Sequence, residues 1–308
     1  MTRSFCLALV LAACGPGDDT DTSANDSDSD TDADSDSDTD SDTDAATCAR
    51  WTADRANLSE GTWSGSTSTC DAGTLSADAH ANTLRLVNLY RSLAGLPAVT
   101  EDAGKSGLAQ ACALIMQANG SLNHYPSSDS ACYTADGAAG AGSSNIASGP
   151  SVMAVDMYVA DWGNETTLGH RRWILSNSLG PIGIGGTSGF SCLQVIGGSG
   201  NAGAAWTAFP KGRMPIAAWT ASYVGLDSTG WTVQSDSIDL NSATVTVTRD
   251  GTTPLDVNVV ALSGGYGSSY AINILPQGWV TEVGHTYHVE LAGTSTAISY
   301  DVDPIGCN

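Results

Sequence analysis

Apart from Cys6 and Cys14 near the N-terminus, six cysteines and five histidines carry most of the chemistry this 308-residue chain can do. The cysteines are Cys48, Cys70, Cys112, Cys132, Cys192 and Cys307; the histidines are His80, His124, His170, His285 and His288. No Cys-x-x-Cys spacing occurs, so cysteinyl zinc is not expected. An even number of cysteines in an exported chain predicts three disulfides, for which fifteen pairings exist. Pairing between sequence neighbours is the favoured reading: Cys48–Cys70, Cys112–Cys132 and Cys192–Cys307. His-Glu-x-x-His and Gly-x-Ser-x-Gly are both absent, which removes the signatures of zinc proteases and of nucleophile-elbow hydrolases. His285 and His288 fall on or beside an expected strand, where His288 and Thr286 face away from Tyr287 and Val289 and towards solvent. His80 is expected to be exposed at a helix entry.

Export is read from the N-terminus. Arg3 followed by the apolar run Phe5 to Ala13 has the form of a signal peptide, too short to span a bilayer. It ends in Leu11-Ala12-Ala13-Cys14, which resembles a bacterial lipobox. That resemblance implies cleavage before Cys14 and lipidation of its sulfur, a membrane anchor of two or more acyl chains. Gly15 after the cysteine leans towards the outer membrane or cell surface. Residues 14–46 are mostly Asp, Ser and Thr, without a large apolar side chain, and are expected to form a disordered, extended tether. Of the 33 acidic residues, 13 lie in this stretch; the 20 that remain face 10 basic residues, a formal charge of −10. A mildly acidic body disfavours nucleic acid as a partner.

The elements that must position any site follow from periodicity. Leu86, Tyr90 and Leu93 mark one helix, stopped by Gly95-Leu96-Pro97. Leu108, Ala111, Cys112, Ile115 and Met116 mark a second, ending near Gly120. Val152, Val155, Val159 and Trp162 mark a third after Gly149-Pro150, and a short fourth is expected at His170 to Leu175. Pro181–Gly186 and Cys192–Ile196 read as strands. Beyond about Gly197, β-branched runs recur at Trp231, Thr244, Val257, Tyr270, Thr286 and Ile298, separated by turn pairs such as Asp250-Gly251. The division expected is residues 1–13 signal peptide, 14–46 tether, 47–79 an irregular lead-in, 80–200 an α/β domain and 201–308 an all-β domain of immunoglobulin-like sandwich type.

The segment from Leu84 to Gly186 resembles the CAP (SCP-like extracellular) family. The resemblance rests on Asn88-Leu89-Tyr90-Arg91, on Leu108 to Ala113 leading to Leu122-Asn123-His124, on Ser143-Ser144-Asn145-Ile146, and on Gly169-His170-Arg171-Arg172-Trp173-Ile174-Leu175 with Ile182-Gly183-Ile184-Gly185. It implies a three-layer α-β-α sandwich with a cleft that gathers two histidines and two acids. His124 and His170 match the histidines and Asp161 one acid, while Ser144 stands where the second acid falls; Asn145 is expected to bond backbone beside the cleft. Two imidazoles in one cleft could bind a divalent metal such as zinc, with Asp161 as a third ligand or as the group that orients a histidine. Ser144, His170 and Asp161 also supply the residue types of a nucleophile, a base and an orienter. Arg171 and Arg172 are expected to cap a helix or pair with acids. The function expected is a non-enzymatic binding module for a lipid, sterol-like or cell-envelope ligand. The alternatives are a metal-dependent hydrolase of envelope polymers or peptides, and a structural or adhesive surface protein.

Overall fold

A computed structural model describes residues 37–307, with side chains from Asp42 onward. Cys14, the leader and most of the tether lie outside the described residues. In chain order the helices are α1 (Ser37–Asp54), α2 (Ala77–Leu93), α3 (Ala103–Asn119) and α4 (Ala135–Gly142), followed by strand β1 (Ser144–Ala147). Helices α5 (Ser151–Ala160) and α6 (Gly169–Ile174) precede β2 (Gly183–Gly186) and β3 (Ser191–Gln194). The C-terminal region holds β4 (Thr207–Phe209), β5 (Gly212–Pro215), a 3-10 turn at Ile216–Thr220, the short α7 (Leu226–Thr229), and β6 (Trp231–Ser235). It continues with β7 (Thr244–Arg249), β8 (Thr253–Leu255), β9 (Val257–Ala261), β10 (Tyr270–Pro276), β11 (Tyr287–Ala292) and β12 (Ile298–Ile305).

The helix signals place α2, α3, α5 and α6. Gly120 closes α3 at φ 62°, a left-handed position that glycine enters without steric cost. The first sheet has the order β1-β3-β2, all antiparallel. Glycines on β2 decide how closely helices approach it. A Cβ on Gly183 or Gly185 would lie 2.2–2.7 Å from Lys105, Ala109 and Gln110, so α3 lies directly on that face. Gly186 points the other way, where a Cβ would meet Ser151 Oγ at 2.1 Å, so α5 begins against the opposite face. The cores divide accordingly. Cys112, Met116, Ile146 and Cys192 form one cluster with Ala109, Ala113 and Ala141. Leu86, Tyr90, Val155, Ile184 and Leu193 belong to the other. Helices thus pack on both faces of a mixed α/β domain.

That second core does not stop at residue 200. It runs on through Phe209, Met214, Trp231, Val233, Val247, Ile272, Tyr287, Val289 and Val302. These come from a four-stranded sheet, β4-β6-β10-β9, and a five-stranded sheet, β5-β12-β11-β7-β8. The C-terminal region is all-β, as its alternation predicts, but it shares one apolar interior with the helical region. Arg171 and Arg172 sit at this join: Arg171 caps the last carbonyls of α5, in keeping with the capping expected of it, and also reaches into the β region, whereas Arg172 bonds loop oxygens. Arg171 is fully buried and donates to Val159 O, Ala160 O, Gly230 O and Thr229 Oγ1. Arg172 donates to Thr167 O, Ser263 O, Ser268 O and Ser268 Oγ. Burial lowers both guanidinium groups to about 10, so both stay charged at neutral pH.

The N-terminal expectations need correction. Residues 37–46, assigned to the extended tether, and 47–54, assigned to an irregular lead-in, form α1. Asp, Ser and Thr are poor helix formers, so packing of its C-terminal half supplies the stability. Trp51 is buried edge-on against Tyr90 at 6.3 Å between ring centroids, and Arg55 lies over the Trp51 ring. The disulfides pair Cys48–Cys307, Cys70–Cys132 and Cys112–Cys192, none of which joins sequence neighbours. All six cysteines are used, but proximity in space, not along the chain, chooses partners. His80 is half-buried, its Nδ1 2.7 Å from Glu101 Oε1. No helix among the described residues is long and apolar enough to cross a membrane.

Beneath α1, Asp156 accepts both Nη atoms of Arg55 at 2.8 Å and the Tyr90 hydroxyl at 2.6 Å. Burial, together with the Asp156 charge, pushes the Tyr90 phenol well above its ordinary value. Asp156→Asn exchanges a charged acceptor of three bonds for a neutral amide, and is expected to lower unfolding free energy by about 2 kcal/mol in urea titration. A change inside the noise of that titration would show that the network is not stabilising.

Candidate functional site

His124, Ser144, Asn145 and His170 line one cavity of about 400 Å³. Its position follows from the elements around it. His124 lies on the connection that leaves α3, and its Nδ1 is 2.9 Å from Ala141 O at the end of α4. A carbonyl can only accept, so in the neutral ring Nδ1 carries the proton and Nε2 keeps its lone pair. His170 opens α6. Its Nδ1 is 2.8 Å from Asp161 Oδ1, which imposes the same tautomer, and its ring packs on Tyr158 at 5.2 Å. The imidazoles stand 46 positions apart in the chain, yet α3, α4, α5 and α6 bring both to one concavity.

Asp161 ends α5 at φ 55°, a left-handed conformation that Asp tolerates better than most residues. Its carboxylate is buried behind His170. Oδ1 also accepts from Asn164 Nδ2 at 2.9 Å, and Oδ2 accepts the Arg171 backbone N–H at 3.1 Å. Of the two roles open to Asp161, ligand or orienter, the geometry is that of the orienting group. Asn145 on β1 donates from Nδ2 to His170 O at 3.0 Å, which ties the sheet to α6. Leu168, just before α6, also takes a left-handed φ of 41°. That conformation costs roughly 1–2 kcal/mol in a residue with a Cβ. Burial of Leu168 against Leu262 and Ala271 of the β region helps to hold it.

Ser144 completes no triad. Its Oγ is buried and has no hydrogen-bond partner, so it is not bonded to His170. An Asp–His pair is therefore present without a nucleophile hydrogen-bonded to it. A zinc site also falls short. Catalytic zinc takes three protein ligands, whereas two imidazole nitrogens are available here, with serine at the acid position and Asp161 engaged elsewhere. Among the described residues no three His, Cys, Asp or Glu side chains are grouped to hold an ion. The donor set does not fit a resident metal.

Several cavity residues escaped sequence reasoning. Asn164, Thr166 and Thr167 come from the α5–α6 connection, where no motif marks them; Trp173 lies in the Gly169–Leu175 segment that carries the resemblance, though no cavity role was assigned to it. Tyr266 comes from the β region, between β9 and β10, and lies against Gly169, where a Cβ would sit 2.6 Å from the Tyr266 ring. Only glycine at position 169 leaves room for that ring. Arg172 supports it from below at 5.9 Å from the centroid. His285 and His288 stand apart from the cavity, paired with Asp250 and Asp301 on the outer sheet.

Residues 84–189 match the model of the CAP family, the Cysteine-rich secretory protein family. This third of the chain runs from α2 through β2. It contains His124, Ser144, Asn145, Asp161 and His170, and it stops well before Tyr266. No curated protein and no solved structure matches the chain.

Proposed function

We propose that this chain is an extracellular CAP-type binding module, anchored by lipid at Cys14 and held away from its membrane by the Asp-rich segment. Its cavity at His124 and His170 takes a ligand of the cell envelope without turning it over. One observation carries the reading: both imidazoles enter one cavity with Nδ1 tied to a fixed acceptor, beside neither a bonded nucleophile nor a third ligand. Such a site recognises; it has little with which to cleave. A hydrolase reading draws on the buried Asp161–His170 pair, which is the orienter–base half of an acid–base machine.

The two are separated by incubating the chain with isolated envelope material from its own host. A binding module shows a rise in melting temperature with no released product. His124→Ala and His170→Ala each remove that rise, and Asp161→Asn, which frees the His170 ring to turn, weakens it about tenfold. Product release that disappears in His170→Ala and Asp161→Asn would favour hydrolysis instead. Anchoring is tested by Cys14→Ser, which releases the chain from the membrane fraction; retention would remove the anchor from the proposal.

A further inference from the structure

We infer that the ligand of this cavity is a neutral saccharide, stacked on Tyr266 from the β region and hydrogen-bonded through its hydroxyls to His124 and His170. The inference rests on the binding reading above and names its chemical class. Charge is the first argument. No Asp, Glu, Lys or Arg is among the residues that line the cavity. A phosphate or carboxylate headgroup would be desolvated there without a counter-charge, inside a body of formal charge −10.

Hydrogen bonding is the second. With Nδ1 of each ring committed to Ala141 O or Asp161 Oδ1, each neutral imidazole offers Nε2 as an acceptor. The matching ligand must donate, and hydroxyl groups do. Asn164, Thr166 and Thr167 extend this polar wall. A sterol or acyl chain would need mainly apolar walls instead.

Aromatic surface is the third. Tyr125, Trp173 and Tyr266 line the same cavity. Tyr125 is 85% exposed and Tyr266 is 39% exposed, so both are open to a ligand. The C–H face of a pyranose presents weakly positive hydrogens, which suit the negative face of an aromatic ring. Trp162, one residue before the cavity-lining Gly163, is 60% exposed and packs edge-on against Tyr223. It offers a further platform outside the cavity, so an oligomer fits better than a single sugar. Tyr266 lies outside the segment that matches the family model, so the site is complete only when the β region is present.

The test uses the full chain carrying Cys14→Ser, so that no acyl group competes. Cellotetraose and the neutral tetramer of N-acetylglucosamine are titrated by calorimetry and by saturation-transfer NMR. Vesicles of phosphatidylethanolamine and phosphatidylglycerol are tested in parallel by co-sedimentation. At least one tetrasaccharide is expected to bind. Tyr266→Ala should weaken it about tenfold, while Tyr266→Phe, which keeps the ring, should stay within about twofold. Gly169→Ala, which displaces that ring, and His170→Ala should each weaken it as well. Melting curves of every variant separate lost binding from lost folding, and Tyr266→Phe keeps the comparison valid if Tyr266→Ala unfolds. Vesicle binding that depends on His124 and His170 without saccharide binding would overturn the inference and leave the binding module standing. Binding of neither probe would overturn the saccharide and count against the module. Saccharide binding unaffected by Tyr266→Ala and His170→Ala would place the sugar elsewhere and overturn the inference too.

Discussion

Arg171→Met is expected to destabilise the whole chain by about 3–5 kcal/mol, the range for removing one partner from a buried charged network. The side chain is fully buried, so the substitution leaves Val159 O, Ala160 O, Gly230 O and Thr229 Oγ1 without their donor in a dry interior. It also removes a positive charge that interacts favourably with Asp161. Lysine should not rescue it, because an ammonium is a point charge and cannot fill the fork that four acceptors surround. The join between helical and β regions makes a sharper statement possible. Val159 and Ala160 belong to α5, whereas Thr229 and Gly230 precede β6, and a single apolar core crosses between them. Wild type should therefore melt in one transition by scanning calorimetry, and Arg171→Met should move all of it. Two transitions, of which the variant shifts one, would mean that the regions fold independently.

Removal of the Cys112–Cys192 disulfide by a double Cys→Ala substitution is expected to cost about 4.5 kcal/mol, the chain-entropy value for a loop of this length. The bond closes 80 residues and joins α3 to β3, the central strand of the first sheet. Both cysteines are buried among Ala109, Met116, Ala141 and Ile146, so deletion also leaves a small void. Alanine rather than serine keeps an unsatisfied hydroxyl out of that core. Access predicts an order of reduction as well. Cys70–Cys132 lies at the surface and should be alkylated early in dithiothreitol, whereas Cys112–Cys192 should react at the rate of unfolding. Mass spectrometry of timed alkylation reads this directly. Simultaneous reduction of the two bonds in the folded protein would contradict the burial argument.

How far the sequence carries depends on the range of the interaction. Periodicity is local: Leu86, Tyr90 and Leu93, or Leu108 to Met116, mark their helices because three or four residues decide one turn. Alternation at Thr244–Thr248 and Ile298–Val302 marks strands for the same reason. The short Gly- and Ala-rich α4 and the four-residue β1 left no such mark, since an apolar stripe needs more turns to show. Asp and Ser between residues 37 and 46 argue for solvated coil, whereas Asp44, Cys48 and Trp51, tied to Arg213, Cys307 and Tyr90 of distant elements, hold the segment as a helix. Resemblance to a family brought His124, Asp161 and His170 together on paper. It did not say whether Asp161 would ligate or orient.

From residue types and spacing alone came an α/β chain with an all-β C-terminal region and an even set of cysteines outside the N-terminal segment. Tertiary structure decided which cysteines pair, that Asp161 stands behind His170, that two arginines stitch the regions into one core, and that Tyr266 closes the cavity. The physical reason is common to all four. Each depends on two surfaces far apart in the chain meeting at a few ångströms, and that meeting is set by how layers pack, which no short window of residues encodes.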